Sequence, residues 1–264
     1  MLDENSQAVF IADEQSGRED EGWISALTEV YLKPNAQLSY LKVQRNSHNA
    51  TVLSSLIANI EKNAQLNIIA IETGSALTKS QWESNLLGEG ASAKLFGLAK
   101  GEDLQHFDQT VYVSHQSPNT QSNVLFKTAM RGKSKSVFTG LIHVQKIAQK
   151  TEAYQTNRNL LLSSEARADT IPKLEIEADD VKCGHGATVS SLDEEQLFYL
   201  MSRGLDRDQA ESMIISGFYE DVLNKWIENS PLHASSRDQE RQALINWVNE
   251  VLTKSNSVSL VGTK

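Results

Sequence analysis

The only cysteine of the chain, Cys183, stands two residues before His185 in the segment VKCGHGATVSS. If a strand runs through both positions, the two side chains point to the same face. A thiolate together with an imidazole suits iron, zinc or copper. Gly184 and Gly186 carry no Cβ atom, so a second backbone, a subunit or a cluster can come close to the pair. The alternative is a buried cysteine and a histidine in a tight turn between a strand and a helix.

The number of available ligands limits what this pair can hold alone. An iron-sulfur cluster is held by four thiolates or by thiolates mixed with histidines, and a structural zinc site has four ligands. This chain has one thiol. Any cluster bound here is therefore expected to be transient or to take its remaining ligands from a second protein. That requirement predicts that His185 lies at a subunit interface.

A Gly-Lys-Ser triplet in RGKSKS, from Arg131 to Ser136, is reminiscent of the phosphate-binding loop of nucleotide hydrolases. That loop needs a further glycine five positions before the glycine of the Gly-Lys pair, because consecutive backbone N–H groups wrap the phosphates. The position is occupied by Lys127. The segment is therefore interpreted as a basic turn between strands, and the chain is not expected to hydrolyse ATP by itself.

Three acidic residues, Glu175, Glu177 and Asp179, alternate and would share one face of a strand. Such a face can bind a hard cation or supply an acid-base pair, as in β-solenoid enzymes that cut polysaccharides. A solvated strand face bordered by Lys173 and Lys182 explains the residues equally well. Neither a Gly-x-Ser-x-Gly elbow nor a His-Glu-x-x-His helix occurs.

The remaining histidines have no partners at metal-ligand spacing, and each is interpreted as a surface or packed residue. They are His48, His106, His115, His143 and His233.

Composition narrows the class of protein. The 264 residues carry a formal charge of −9 with a pI near 5.2, which argues against a nucleic-acid partner because phosphate backbones are bound by clustered Lys and Arg. A single cysteine cannot form an intramolecular disulfide, which favours a reducing compartment. The acidic N-terminus does not look like a signal peptide, and no apolar run approaches the roughly 20 residues that cross a bilayer. We expect a soluble, cytoplasmic protein that binds no membrane.

The pattern of apolar residues divides the chain into three parts. Residues 1–36 are expected to be a short acidic lead-in without regular structure, or the cut edge of something larger. Residues 37–188 contain short segments of alternating or wholly apolar character, typical of strands, and no helix-length insert separates the later ones. This excludes a βαβ winding and leaves a sandwich, a barrel or a parallel solenoid. Irregular spacing and few tight hairpin signals favour the solenoid. The strand-like segments are LSYLKV, LNIIAIE, AKLFGLA, TVYVSH, NVLFKT, SVFTGLIHV, NRNLLLS and KLEIEA.

Residues 189–264 show helical periodicity and are predicted to form a helical domain. Ser191 with Glu194 forms a capping-box pattern, and Gly204 stands where a C-terminal cap belongs. Asp206 with Gln209 forms a second box at the start of a longer helix. The predicted apolar face of that helix consists of Ala210, Met213, Ile214, Gly217, Phe218, Val222 and Trp226. A third helix is predicted around Leu244, Trp247, Val248, Val251 and Leu252.

Around Cys183 and His185 the sequence resembles the SufB/SufD proteins of the Suf iron-sulfur cluster assembly system, and it resembles SufD most. The resemblance runs almost continuously from Ser136 to Phe218, from SVFTGLIHVQKIAQKTEAYQTNRNLLLSSE through KLEIEADDVKCGHGATVSSLDEEQLFYLMSRGLDRDQAESMIISGF. A weaker match lies upstream in VSHQSPNTQSNVLFKTAMRGKS. SufB chains carry a Glu-His-Glu-Ala pattern where this chain has Gly184, His185, Gly186 and Ala187, which favours SufD.

This resemblance implies a right-handed parallel β-helix followed by a C-terminal helical domain. It implies pairing with a SufB-like chain through the β-helix and docking of a SufC-like ATPase on the C-terminal helices. The histidine of the family's His-Gly-Ala-Thr segment falls on His185, which is the first candidate for a ligand of a transient cluster shared with SufB. Cys183 is the second candidate.

The resemblance also leaves alternatives. Phe198, Met213, Ile214 and Phe218 are candidates for contact with SufC, although core packing is the ordinary role of such residues. Family members usually have a longer N-terminal region, so this chain is expected to be a truncation or a compact variant. The expected function is a non-catalytic assembly scaffold. The alternatives are a purely structural SufD-like paralogue without a metal site and a β-solenoid carbohydrate-active enzyme.

Overall fold

The computed structural model describes residues 1–17, 21–230 and 238–253. Within these residues, thirteen strands are followed by three helices. The strands are β1 (Gln7–Gln15), β2 (Gly22–Leu32), β3 (Gln37–Arg45), β4 (Ala50–Ile60), β5 (Gln65–Glu72), β6 (Leu77–Leu86), β7 (Ser92–Gly101), β8 (His106–His115), β9 (Gln121–Met130), β10 (Lys135–Val144), β11 (Glu152–Leu161), β12 (Arg167–Ile176) and β13 (Lys182–Ser191). The helices are α1 (Glu194–Ser202), α2 (Arg207–Glu228) and α3 (Asp238–Thr253).

Successive strands of the chain belong alternately to two parallel sheets. The odd-numbered strands form one sheet in the order β1-β3-β5-β7-β9-β11-β13, here called the odd sheet. The even-numbered strands form the other, β12-β10-β8-β6-β4-β2, here called the even sheet. Neighbouring strands in both sheets run parallel. This arrangement is a parallel β-solenoid, and it confirms the predicted fold class.

Inward-facing residues of the central strands fill the space between the two sheets. In β4, whose sequence is ATVLSSLIANI, buried and partly exposed residues alternate along the whole strand. A row of aromatic rings crosses the interior, because the ring centroid of Phe126 lies 5.3 Å from that of Trp82 and 5.1 Å from that of Phe138. The buried apolar area of this interior is the main favourable contribution to the stability of the solenoid.

Asparagines shape one corner of the first solenoid turns. Asn5, Asn35 and Asn63 have φ values of 59°, 59° and 55°, a left-handed conformation that asparagine tolerates better than most residues. Their side chains also form a ladder, since the amide of Asn35 donates to Asn5 at 3.0 Å and that of Asn63 donates to Asn35 at 3.3 Å. The corner therefore repeats from one turn to the next.

Helices α2 and α3 pack on the outer face of the odd sheet in one apolar cluster. Two polar contacts fix α2 in register with the strands beneath it. The hydroxyl of Tyr219 donates to the carbonyl of Ala99 at 2.7 Å, and the indole N–H of Trp226 donates to the carbonyl of Asn67 at 3.3 Å. Both aromatic side chains are fully buried. The helical part is thus held on the strands of the solenoid.

A buried ammonium adds to this attachment. Lys127 of β9 donates to the carbonyl of Phe218 at 2.7 Å and pairs with Asp221 at 2.5 Å. Its Nζ atom also lies 4.7 Å from the centre of the Phe218 ring. Burial lowers the pKa of Lys127, and the hydrogen bond to Asp221 opposes that shift.

Residues 1–36 are not the irregular lead-in that their composition suggests. They contain β1 and β2, and β1 pairs with β3 while β2 pairs with β4. The acidic residues that obscure the strand pattern have partners on β3: Asp13 pairs with Arg45 at 2.5 Å and Glu14 with Lys42 at 3.2 Å. The solenoid therefore begins before residue 37, and this expectation is wrong.

The cap of α1 also differs from the prediction. Its N-cap is Asp193, whose carboxylate accepts from the backbone N–H groups of Glu195 at 2.9 Å and Gln196 at 3.3 Å. Ser191 is instead the last residue of β13, so the predicted box with Glu194 is wrong. A carboxylate accepts these N–H groups well because it also meets the positive end of the helix dipole.

The other helix signals hold in part. The capping box of Asp206 and Gln209 is present, with both reciprocal hydrogen bonds, and Gly204 follows α1 with a φ of 99°. The buried face of α2 is rotated from the predicted one, because Tyr219 and Leu223 are buried whereas Met213 is 55% exposed. Residues 231–237 and 254–264 of the predicted helical domain lie outside the described part of the chain.

Candidate functional site

In the described part of the chain, β13 forms one of the two edges of the odd sheet. Among the strands of the described residues, it pairs only with β11, and its register sets Cys183 opposite Ala153 and His185 opposite Gln155. Tyr154, on β11, points outward and is 49% exposed. A Cβ atom on Gly184 would lie 3.5 Å from that outward ring.

Strand alternation then turns Cys183 and His185 to the inner side. Cys183 packs, half-buried, against the apolar core between the sheets. His185 is exposed because no strand of the described residues follows β13 in the sheet. The sequence prediction that these two side chains share one face is consistent with this geometry.

The protonation state of Cys183 bears on its use as a ligand. Burial raises the pKa of its thiol, and a backbone hydrogen bond at Ala153 opposes this shift. At neutral pH the side chain is therefore a thiol, whereas the thiolate is the species that binds metal. Metal binding at Cys183 would release a proton.

At Gly184 and Gly186 the outer side of β13 presents only backbone. A Cβ atom built on Gly186 meets nothing within 4 Å, and both Gly184 and Gly186 lack a side chain. From Cys183 to Ser191 the strand carries no Asp, Glu, Lys or Arg. A long stretch of edge strand without these charged residues is a ready template for pairing with another strand.

The acidic alternation of the sequence does not assemble a metal site. The Nε2 atom of His143 lies 3.0 Å from a carboxylate oxygen of Glu177. This hydrogen bond lowers the pKa of Glu177. Glu175 and Asp179 are exposed. Within residues 1–17, 21–230 and 238–253, no group of three His, Cys, Asp or Glu residues could hold a metal ion.

Two other sequence interpretations can be compared with the structure. Residues Arg131 to Ser134 form the turn between β9 and β10, with Gly132 at a φ of 67°, so RGKSKS contains an interstrand turn as predicted. His115 is a packed histidine: it is fully buried and lies between the hydroxyls of Thr120 and Ser122. His233 lies outside the described residues.

The candidates for ATPase contact fall into two groups. Phe198 and Met213 are 74% and 55% exposed. Ile214 is half-buried, and Phe218 packs at the helix-sheet cluster with its ring beside Lys127. Two further exposed apolar residues of α1 were missed by the sequence reasoning, Tyr199 and Met201.

One residue beside His185 carried no signal in the sequence. Gln155 is only 1% exposed on β11 and has no hydrogen-bond partner for either side-chain polar atom among the described residues. Its position next to His185 follows from the pairing of β11 with β13, which are separated by the whole of β12. Sequence periodicity does not give the register between such strands.

Comparison with protein families matches residues 1–218 to the SufBD core domain of the SUF system for FeS cluster assembly. The chain belongs to the SufBD family. Its similar relatives include the iron-sulfur cluster assembly SufBD family protein Rv1461 of Mycobacterium tuberculosis, which is 36% identical over 201 residues, or 76% of this chain and 24% of the relative. The M. tuberculosis SufBD family protein Rv1462 is 32% identical over 232 residues, or 85% and 57%.

A third SufBD relative, ML0593 of Mycobacterium leprae, is 36% identical over 201 residues, or 76% of this chain and 23% of the relative. This SufBD chain therefore spans about a quarter of the length of two of these relatives and somewhat more than half of the third. The predicted resemblance to the SufB/SufD family, which runs from Ser136 to Phe218, is confirmed. No helix in the described part of the SufBD chain is long and apolar enough to cross a membrane.

Proposed function

We propose that this SufBD chain is a non-catalytic scaffold subunit of a Suf-type assembly complex, in the SufD role. It pairs along the β13 edge with a SufB-like chain. A transient iron-sulfur cluster, which is the cargo of the complex, is shared between the two chains. ATP hydrolysis belongs to a SufC-like ATPase that docks on α1 and α2.

One observation carries this proposal. His185 and Cys183 lie on the inner side of a free edge strand, and the described residues offer too few ligands near them to enclose a metal. A cluster needs about four protein ligands, so the missing ones come from the chain that covers the edge. The glycines at 184 and 186 add no side chains to the edge that such a chain would cover.

The family comparison supports a partnership of two related chains. Mycobacterium tuberculosis has two SufBD relatives of this chain, Rv1461 and Rv1462. Two paralogues in one organism fit a heterodimer of the SufB and SufD kind. Both are described as iron-sulfur cluster assembly proteins, which agrees with a cluster as the shared cargo.

The experiment is reconstitution of the complex with His185 replaced. The chain is coexpressed with SufB-like and SufC-like partners, and the purified complex receives iron and sulfide under anaerobic conditions. Loss of even a residue that orients a metal ligand costs roughly 10- to 100-fold in affinity. We therefore expect His185→Ala to lower cluster-bound iron by about 10-fold or more while the complex stays intact.

The matched control is His143→Ala, because His143 is a half-buried histidine that pairs with Glu177. This control is expected to assemble the same amount of cluster as the wild type. Equal cluster content in His185→Ala and the wild type would overturn the proposal. It would favour a purely structural SufD-like chain that binds partners without a metal.

A further inference from the structure

Gln155 differs from the other buried polar residues of its own strand, β11. It is buried on β11, directly beside His185, and both of its side-chain polar atoms lack partners in the described part of the chain. Its polar neighbours on the same strand are bonded. Asn157 donates to the carbonyl of Phe126 at 3.3 Å, and Asn159 donates to the side chain of Asn157 at 2.7 Å.

The backbone opposite makes room for this amide. Gly140 lies across the interior on β10, and a Cβ atom there would stand 2.3 Å from Oε1 and 2.6 Å from Nε2 of Gln155. Thr170 of the neighbouring strand β12 likewise has a buried hydroxyl without a partner among the described residues. A buried amide normally has hydrogen bonds, because leaving it unpaired is costly. The amide of Gln155 therefore has hydrogen-bonding capacity that no contact among the described residues uses.

The ring of His185 is a group that can form a hydrogen bond with the amide of Gln155. Adjacent strands lie about 4.8 Å apart, so residues in register on one face are within reach of each other's long side chains. Within the described residues, no hydrogen bond involves the His185 ring, which is exposed at the sheet edge. A metal-bound histidine almost always donates its other ring N–H to a carboxylate, a carbonyl or water.

We infer that Gln155 is the positioning residue of the cluster site: its amide oxygen accepts the N–H of one ring nitrogen of His185 and leaves the other nitrogen for iron. This inference rests on the proposed function, in which His185 is a ligand. The covering partner chain excludes water from the edge, so the N–H of the imidazole finds its acceptor inside the solenoid. Gln155 itself does not touch the metal.

The test uses the same reconstituted three-protein complex with Gln155→Met, Gln155→Glu and His185→Ala. Gln155→Met keeps the volume and removes the acceptor. It is expected to shorten the lifetime of the cluster against an iron chelator by about 10-fold or more, and to alter the nitrogen hyperfine coupling of the bound histidine. Gln155→Glu keeps an acceptor oxygen of the kind that usually orients a ligating histidine, so it is expected to restore both readouts.

A merely structural role would produce a different result. Gln155→Met removes buried polar atoms that have no partner, so its urea midpoint is expected to match or exceed that of the wild type. A lowered midpoint with unchanged cluster lifetime and unchanged coupling would assign Gln155 to folding and overturn the inference.

The inference and the proposed function fail in distinguishable ways. If His185→Ala loses the cluster while Gln155→Met keeps wild-type lifetime and coupling, the positioning role is overturned and the proposed function stands. If His185→Ala keeps the cluster, both are overturned.

Discussion

At the scale of single residues, His115 shows how burial in the solenoid interior changes the pKa of a titratable group. Its Nδ1 and Nε2 atoms lie 2.8 Å from the Thr120 hydroxyl and 2.9 Å from the Ser122 hydroxyl. A neutral imidazole suits these partners, since one ring nitrogen donates and the other accepts. Burial lowers the pKa of His115 from 6.5 to about 4.

This shift predicts a loss of stability in acid. Between pH 6.5 and about 4 the unfolded chain binds a proton at His115 that the folded chain does not, so the free energy of unfolding falls as the pH falls through this range. Protonation of His115 is expected to lower the free energy of unfolding by about 3 kcal/mol over this pH range. His115→Gln keeps hydrogen-bonding groups without a titrating ring and is expected to remove that part of the pH dependence.

Urea unfolding of both proteins at neutral pH and close to pH 4 measures the difference. The comparison is between the change in unfolding free energy with pH in the wild type and in the variant. An identical change in both proteins would show that His115 is not the group responsible.

At the scale of strands and helices, the interior leaves no room for a side chain at Gly97. A Cβ atom there would lie 2.2 Å from the ring of Phe126, which is held between Trp82 and Phe138. Gly97→Ala is therefore expected to destabilise the fold by about 1–3 kcal/mol through overpacking.

Gly186→Ala is the matched control on another strand of the same sheet. A Cβ atom at this position meets nothing within 4 Å, so its effect is expected to stay within about 0.5 kcal/mol. Chemical denaturation of both variants checks the pair. Equal destabilisation of the two would contradict the packing described around Phe126.

The elements also show what sequence alone can predict. Segments such as LNIIAIE identify strands by local composition, and Asp206 with Gln209 identifies a helix start by local spacing. The shared face of Cys183 and His185 is equally local, because it depends only on strand alternation. These features could be predicted without any knowledge of tertiary contacts.

Other features depend on contacts between distant segments. Gln155 meets His185 through the register of two strands that the chain joins by way of the other sheet. β1 was missed because Asp13 and Glu14 find their counter-charges on β3. The buried face of α2 is set by the sheet under Tyr219 rather than by the helix's own apolar stripe. Periodicity contains none of this information.

At the scale of the whole molecule, the proposed ATPase contact makes a separable prediction. Phe198 and Met213 are large apolar residues that face solvent on α1 and α2. The double substitution Phe198→Ser with Met213→Ser is expected to weaken SufC binding by about 10-fold or more and to leave folding unchanged, because exposed apolar anchors contribute binding energy rather than core packing.

Isothermal titration with the SufC-like protein measures this effect. Ile171→Ser is the control, because Ile171 is 45% exposed but lies on β12 of the solenoid instead of the helices. Pairing with the SufB-like chain is expected to persist in the double variant. Wild-type SufC affinity in that variant would rule out these two side chains as the docking surface.

The alternation between two parallel sheets has a consequence for motion. Each turn of a solenoid contacts only its immediate neighbours, so local opening begins at the termini of the stack and spreads inward. Among the strands of the described residues, β13 has a neighbour on one side only, whereas β5, β7 and β9 are flanked on both sides and covered by α2. The strand that carries His185 is therefore expected to fray while amide protons in the middle strands remain protected from exchange.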